Sequence, residues 1–192
     1  MAAFYTGTPG VQAERTATPR QLFVSDDHTQ FFPSAKVIDG SLSRDTGHTG
    51  DLDTLRCGKL MGRVTSGGKY RPSIVGVLGT ATTAATVTSI TVPAAVATEF
   101  ARLIAVAGGN VSAKLIGAPS ATGTVAETAI TVTAASGTTL TVSSVTTPVH
   151  IIGSFITLAD GSEYPRCIIG KEDGIKVTDQ DGTSQDNPPR AQ

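Results

Sequence analysis

Apolar and polar residues alternate most clearly in the second half of the chain. In residues 128–133 (TAITVT) and 139–145 (TLTVSSV), the apolar residues Ile130, Val132, Leu140 and Val142 alternate with Thr or Ser. A period of two is typical of antiparallel strands that bury one face. Ser136-Gly137 lies between the two runs and suits a turn. Together with the apolar run at residues 111–116, these segments predict an antiparallel sheet.

A helical period occurs in one segment, AAVATEFARLIAVA, which follows Pro93. Proline is tolerated in the first turn of a helix, and Gly108-Gly109 suits a helix end. Several apolar residues fall on one face of this helix: Val96, Phe100, Leu103, Ile104 and Val106. We therefore predict one helix here, anchored by Phe100 and Leu103.

Shorter strands are expected before this region. Residues 59–64 and 69–74 flank the sequence Thr-Ser-Gly-Gly at 65–68. Glycine adopts positive φ without steric cost, so this sequence predicts a hairpin loop between two strands. Residues 74–78 (IVGVL) then predict a buried strand.

Strand-like runs return after residue 148. Residues 149–158 predict one long strand, and residues 166–169 and 175–177 predict two shorter ones. Asp160-Gly161 and Asp173-Gly174 are suited to the turns between them.

These patterns divide the chain into an arm, a core, an inserted lobe and a tail. Residues 1–54 predict an extended N-terminal arm, and residues 55–79 with 149–178 predict a β core. Residues 80–148 predict an inserted α+β lobe that carries the helix. The polar residues 179–192 include two prolines and predict a flexible tail. The expected fold class is mainly β.

The arm contains apolar islands in an otherwise irregular, polar context. Disordered segments are poor in aromatic residues, yet four of the six Phe residues lie in this stretch. Two interpretations stay open: the arm orders by docking on a partner, or it packs on its own domain. The first makes five residues candidates for partner binding: Leu22, Phe23, Val24, Phe31 and Phe32.

Composition and charge mainly exclude functions. The formal net charge is −1, and no basic stripe is present, so no nucleic-acid partner is expected. No apolar run is long enough to span a membrane, and the N-terminus does not read as a signal peptide. Without an export signal, Cys57 and Cys167 are expected to be free thiols, although they could pair in space.

Candidate chemical motifs each have a better structural interpretation. Gly62 to Lys69 superficially resembles a phosphate-binding loop, but its spacing is one residue too long and Tyr70 replaces the required hydroxyl. His48 lies among loop carboxylates, which is weak as a metal pattern. His150 enters an apolar run with no catalytic partner in sequence. We therefore expect no catalytic residues, no cofactor, no metal and no enzymatic activity.

Residues 57–70 (CGKLMGRVTSGGKY) carry the one informative resemblance. They resemble the glycine-rich hairpin of the phage-lambda-type head decoration proteins, also called capsid cement proteins. Residues 74–78 are similar to the strand that follows it in that family, and residues 153–177 are similar to the rest of the small domain. Two features depart from the family: the insertion at residues 80–148, and Cys57 where Ala is more usual.

The resemblance implies a structural virion protein with a small β-barrel-like or β-tulip-like core. Such a protein decorates the outer surface of a bacteriophage head, binds the major capsid protein and itself, often as a trimer, and is made in the host bacterial cytoplasm. The family's arm adds a strand to a capsid-protein sheet. The alternatives are another virion component, such as a head fibre or spike base or a tail-tube protein, and, less favoured, a small β-fold hydrolase.

Overall fold

The computed structural model describes residues 36–48, 51–82, 85–119, 125–146, 148–170, 174–177 and 190–191. The strands of these residues are β1 Lys36–Val37, β2 Thr54–Leu55, β3 Leu60–Arg63, β4 Tyr70–Pro72, β5 Gly76–Val77, β6 Thr86–Thr91, β7 Val111–Pro119, β8 Val125–Ser136, β9 Thr139–Thr146, β10 Phe155–Leu158, β11 Pro165–Ile168, β12 Ile175–Lys176 and β13 Arg190–Ala191. Their one α-helix, α1, spans Ala94–Ala107, and a 3-10 turn spans Gly40–Leu42. Strands account for 45% of the structure, so the expected mainly β class is confirmed.

Six strands form one antiparallel sheet in the order β5-β10-β7-β8-β9-β6. The sheet curls into a half-barrel, and α1 packs against its buried face. The core of this body is made of aliphatic residues around a single aromatic ring: Val75, Leu78, Ile90, Val92, Val96, Ala97, Phe100, Leu103, Ala113, Leu115, Ile130, Val132, Leu140, Val142, Ile156 and Leu158.

The alternating pattern places the strands of this sheet as predicted. On β8, Ile130 and Val132 are buried and their neighbours are more exposed, and on β9 Leu140 and Val142 are buried in the same way. Gly137 joins the two strands with a φ of 58°, a left-handed conformation that favours glycine. The sequence predictions at residues 128–133 and 139–145 are confirmed, and both strands are longer than predicted.

The predicted helix is also confirmed. It begins directly after Pro93 and ends at Gly108, which has a φ of 67°. The N–H of Gly109 donates to the carbonyl of Ile104 at 3.1 Å, so one of the free carbonyls at the helix end is satisfied. Phe100 and Leu103 are buried in the core of the six-stranded sheet, as expected for residues that anchor the helix.

A second, smaller core lies among the short strands. The sheets β11-β3-β4 and β12-β2 enclose six apolar residues: Ile38, Leu55, Met61, Ile169, Ile175 and Val177. The predicted hairpin is confirmed, because β3 and β4 pair antiparallel and Gly67 and Gly68 in their loop have positive φ. Gly62 on β3 has no room for a Cβ, which would overlap the carbonyl of Ser162.

The predicted arm is too long at its C-terminal end. Residues 36–48 and 51–54 belong to the folded body, where Ser43, Arg44 and Asp45 are buried. The Asp45 carboxylate accepts hydrogen bonds from Arg56 Nε at 2.9 Å and Lys59 Nζ at 2.7 Å. These polar contacts bind the segment to the start of the β core. The polar sequence wrongly indicated an extended arm, because its charges neutralise one another inside the structure.

The predicted boundaries of the inserted lobe do not separate two sheets. Strands β5 and β10 come from the predicted core, yet β10 pairs with β7 of the predicted lobe over four residues. The predicted tail also contributes a strand, since Arg190–Ala191 pairs antiparallel with Lys36–Val37.

Candidate interaction surface

The five residues proposed from the sequence as partner-binding anchors lie outside the described residues. They are Leu22, Phe23, Val24, Phe31 and Phe32. Their role as anchors therefore stays a prediction.

Residues 148–155, here called the apolar loop, expose a group of large apolar side chains. Val149 is 56% exposed, Ile151 53%, Ile152 65% and Phe155 44%, so about half of each of these side chains faces solvent. Scattered single apolar residues are normal at a protein surface, whereas a contiguous group of them marks an interaction site. The apolar loop is therefore the candidate surface for binding.

Sequence reasoning missed this surface because it predicted one strand over residues 149–158. The prediction is wrong for residues 149–154, since β10 begins only at Phe155. The N–H of Ser154 donates to the carbonyl of Ile151 at 3.1 Å, and Gly153 has a φ of 83°, so the chain turns here. Pro148 and Gly153 were the signals of a loop within the apolar run.

The backbone of the apolar loop is held in place by hydrogen bonds to two other segments. The N–H of Thr82 donates to the carbonyl of His150 at 2.9 Å, and the N–H of His150 donates to Thr82 Oγ1 at 3.0 Å. Next to β5, the N–H of Gly153 donates to the carbonyl of Leu78 at 3.0 Å, and Leu78 donates to Ser154 at 2.9 Å. The exposed side chains are therefore presented on a well-anchored backbone.

His150 anchors the apolar loop from beneath. Its side chain is buried, and Nε2 lies 2.9 Å from Thr128 Oγ1 on β8. Nδ1 is also buried and has no hydrogen-bond partner among the described residues. Burial lowers the pKa of His150, because the charged imidazolium would lose its water, and the N–H at Nδ1 would have no acceptor among the described residues. This histidine is thus a neutral structural residue, in agreement with the interpretation made from the sequence.

The apolar character continues from the loop onto the six-stranded sheet. Phe155 lies directly between Val77 on β5 and Ile116 on β7, and directly paired residues on neighbouring strands share a face of the sheet. Val77 and Ile116 are half-buried. A short apolar row therefore extends the surface of the loop across three strands.

One charged pair and one further carboxylate lie beside this surface. Lys114 on β7, two residues from Ile116, contacts the Glu163 carboxylate at 2.9 Å. Its Nζ also lies 5.4 Å from the centre of the Tyr164 ring. Residues 145–157 contain no Asp, Glu, Lys or Arg. The surface is thus apolar, and its border holds the Lys114–Glu163 pair and the exposed Glu127, which lies opposite Ile116 on β8.

The other motifs that the sequence offered as candidates for chemistry have structural explanations or stand apart from one another. The segment from Gly62 to Lys69 forms the β3–β4 hairpin and is not a phosphate-binding loop. Within the part of the chain that the structure describes, no three His, Cys, Asp or Glu side chains form a group that could hold a metal. Cys57 and Cys167 are free and half-buried, and burial raises the pKa of the Cys167 thiol. The described helix is too short to cross a membrane.

Comparisons with protein-family models, with curated proteins and with solved structures found no match to this chain.

Proposed function

We propose that this protein is a non-enzymatic structural component of a virion, which decorates the head of a tailed phage and stabilises it. Its partners in this proposal are the outer surface of the major capsid protein lattice and other copies of itself, as a trimer. The observation that carries the proposal is the apolar loop, where Ile151, Ile152 and Phe155 are exposed on a backbone that hydrogen bonds hold in place. A rigid apolar surface is suited to contact with another macromolecule.

The glycine-rich hairpin supports the same function. Residues 57–70 resemble the hairpin of the lambda-type decoration proteins, and they form β3, the loop after it and the first residue of β4. The close approach of Gly62 to Ser162 gives one glycine of that sequence a packing role in the small core. The resemblance therefore rests on residues that make a defined local structure.

The N-terminal segment supplies the capsid contact in this proposal. Residues 1–35 precede β1 and carry the aromatic residues Phe23, Phe31 and Phe32. An extended segment can add a strand to the edge of a partner's sheet, with its side chains seated in pockets of the partner. The ordering of such a segment costs free energy on binding, and several arms joined in one oligomer offset that cost through avidity.

The test is binding to phage heads that lack this protein. The full chain is compared with a variant that begins at Lys36 and with a triple variant, Phe23→Ser, Phe31→Ser and Phe32→Ser. Both variants keep the described body, because Ile38 and the residues after it supply its buried contacts. We expect both to lose co-sedimentation with the heads while their far-UV circular dichroism shows a folded β protein.

Phe4→Ser is the matched control, since it removes an aromatic ring from the same segment outside the proposed anchors. It should bind heads like the full chain. Undiminished binding by the variant that begins at Lys36 would contradict the role of the arm. The copy number on intact heads gives a second readout: a value near that of the capsid protein supports decoration, and a few copies per virion supports a fibre, spike or tail component.

A further inference from the structure

We propose that the apolar loop is the surface through which copies of this chain contact one another. Loops from neighbouring copies pack together at the rotation axis of a homo-oligomer, with Ile152 at the centre of the contact. This inference rests on the proposed function, in which the protein binds itself as well as the capsid. It assigns that self-association to residues 148–155.

The size of the surface fits such a contact. The exposed fractions of Val149, Ile151, Ile152 and Phe155 correspond to roughly 400 Å² of exposed surface on these four apolar residues together. This area is at the scale of a functional patch. A standard interface buries about 800 Å² on each partner, and about 65% of a homodimer interface is apolar. The exposed area of these four residues is therefore close to the apolar area expected for one of the smaller standard-size interfaces.

The charges also favour a second copy as the occupant. Two identical surfaces that carry charge repel each other when they meet, but residues 145–157 contain no Asp, Glu, Lys or Arg. The nearby Lys114 is paired with Glu163 within the same copy, so the charge left at the border is the single exposed carboxylate of Glu127, opposite Ile116 on β8. The whole chain has a formal net charge of −1, and long-range repulsion between copies is correspondingly weak.

The geometry of the loop reduces the cost of association. Its backbone is already fixed by hydrogen bonds to Leu78 and Thr82, and by the buried side chain of His150. Little loop entropy remains to be lost on contact, so more of the gain from apolar burial appears as affinity. A loop that lies at the rotation axis meets the same loop of each neighbouring copy, in a trimer as in a dimer, so no second, different surface is needed and the assembly is closed.

The test is the oligomeric state of the purified full chain in the absence of capsids. Ile152→Lys places a charge at the centre of the proposed contact, and Val106→Lys is the matched control. Val106 is 55% exposed on α1 and lies outside the apolar loop, so both variants replace an exposed aliphatic residue with the same cation. Light scattering coupled to size exclusion gives the mass, and analytical ultracentrifugation gives the dissociation constant.

We expect the full chain and the Val106→Lys variant to form the same oligomer. Ile152→Lys should be monomeric, with a dissociation constant raised at least about 100-fold by like charges brought together at the contact. Ile152→Ala retains a neutral surface and should raise the constant by about tenfold, which keeps the test valid if the Lys variant folds poorly.

A monomeric full chain, or an Ile152→Lys variant that keeps the oligomer, would overturn this inference. The two proposals fail separately. If Ile152→Lys loses the oligomer but the full chain does not bind phage heads, the contact between copies is supported and decoration is overturned. If the full chain binds phage heads and both Ile152 variants form the same oligomer as the full chain, the contact between copies is overturned and decoration is not.

Discussion

At the scale of single residues, His150 links burial to the presentation of the apolar loop. Val149 and Ile151 on either side of it are exposed, whereas His150 points inward to Thr128. Its Nδ1 atom has no acceptor among the described residues, so a proton there would stay unpaired in the interior. The neutral ring therefore stabilises the loop, and the charged ring would oppose it.

This arrangement predicts a loss of stability in mild acid. Burial lowers the pKa of His150, so the unfolded chain takes up the proton first, near its usual pKa of about 6.5. The contribution of His150 is therefore complete above that pH and is lost as the pH falls through the lowered pKa of the folded state. Urea unfolding at about pH 7.5 and about pH 5 measures the decrease.

His150→Gln keeps a polar side chain near Thr128 but does not titrate. At neutral pH, the free energy of unfolding of this variant should be lower than that of the unsubstituted protein. Its free energy of unfolding should also change less between the two pH values. An equal decrease in both proteins would show that His150 does not cause the pH dependence.

At the scale of secondary-structure elements, a glycine sets how closely α1 approaches the sheet. A Cβ on Gly76 in β5 would overlap the methyl groups of Val96 in the first turn of the helix. Val96 is buried against this strand and the rest of the core. The small residue on the strand and the branched residue on the helix therefore fit as a pair.

The fit predicts compensation between two substitutions. Gly76→Ala should lower the free energy of unfolding by about 1–3 kcal/mol, because the added methyl group overpacks the contact. Val96→Ala should also lower it by about 1–3 kcal/mol, through lost burial and a cavity. The double variant should lose less than the sum, because each change makes room for the other. Strict additivity in urea unfolding would contradict this close contact.

The elements show which parts of the fold could be predicted from the sequence. The positions of β8, β9 and α1 follow from a periodic pattern that each segment carries within itself, and Phe100 is buried accordingly. The apolar loop could not be predicted in this way, because its conformation depends on hydrogen bonds to Leu78 and Thr82, far away in sequence. Pro148 and Gly153 signal a break in this apolar run, but no local pattern tells which of its apolar side chains are exposed.

At the scale of the whole molecule, the segment around Leu42 and the side chain of Arg71 join the two cores. Leu42 packs against the larger core and Ile38 belongs to the smaller one, so one short segment contacts both. Arg71 on β4 donates to the carbonyl of Leu42 and to the Asp160 carboxylate, at 2.8 and 2.9 Å. Asp45 is fully buried, and hydrogen bonds from Arg56 and Lys59 help to hold the pKa of its carboxyl well below the usual range.

The shared segment predicts that the two cores unfold together. Thermal unfolding followed by near-ultraviolet circular dichroism, to which Tyr70 at the smaller core contributes together with the other Tyr and Phe residues, should coincide with unfolding followed in the far ultraviolet. Asp45→Asn should shift both signals equally and cost about 1–3 kcal/mol, since it weakens the charge-assisted hydrogen bonds that the buried Asp45 accepts from the partly exposed Arg56 and Lys59. Glu127→Gln, at an exposed position, is the control and should change stability by less than about 0.5 kcal/mol. Two separate transitions would show that the cores are independent.

The pairing of β1 with β13 brings two distant positions of the chain side by side, with Lys36 opposite Ala191. A few glycine and serine residues could therefore join them covalently, while the hairpin turn at Gly137 offers an exposed place to open the chain. The order of the elements along the polypeptide would change, but their arrangement in space would not. The fold thus lends itself to circular permutation, with new termini at the tip of the β8–β9 hairpin.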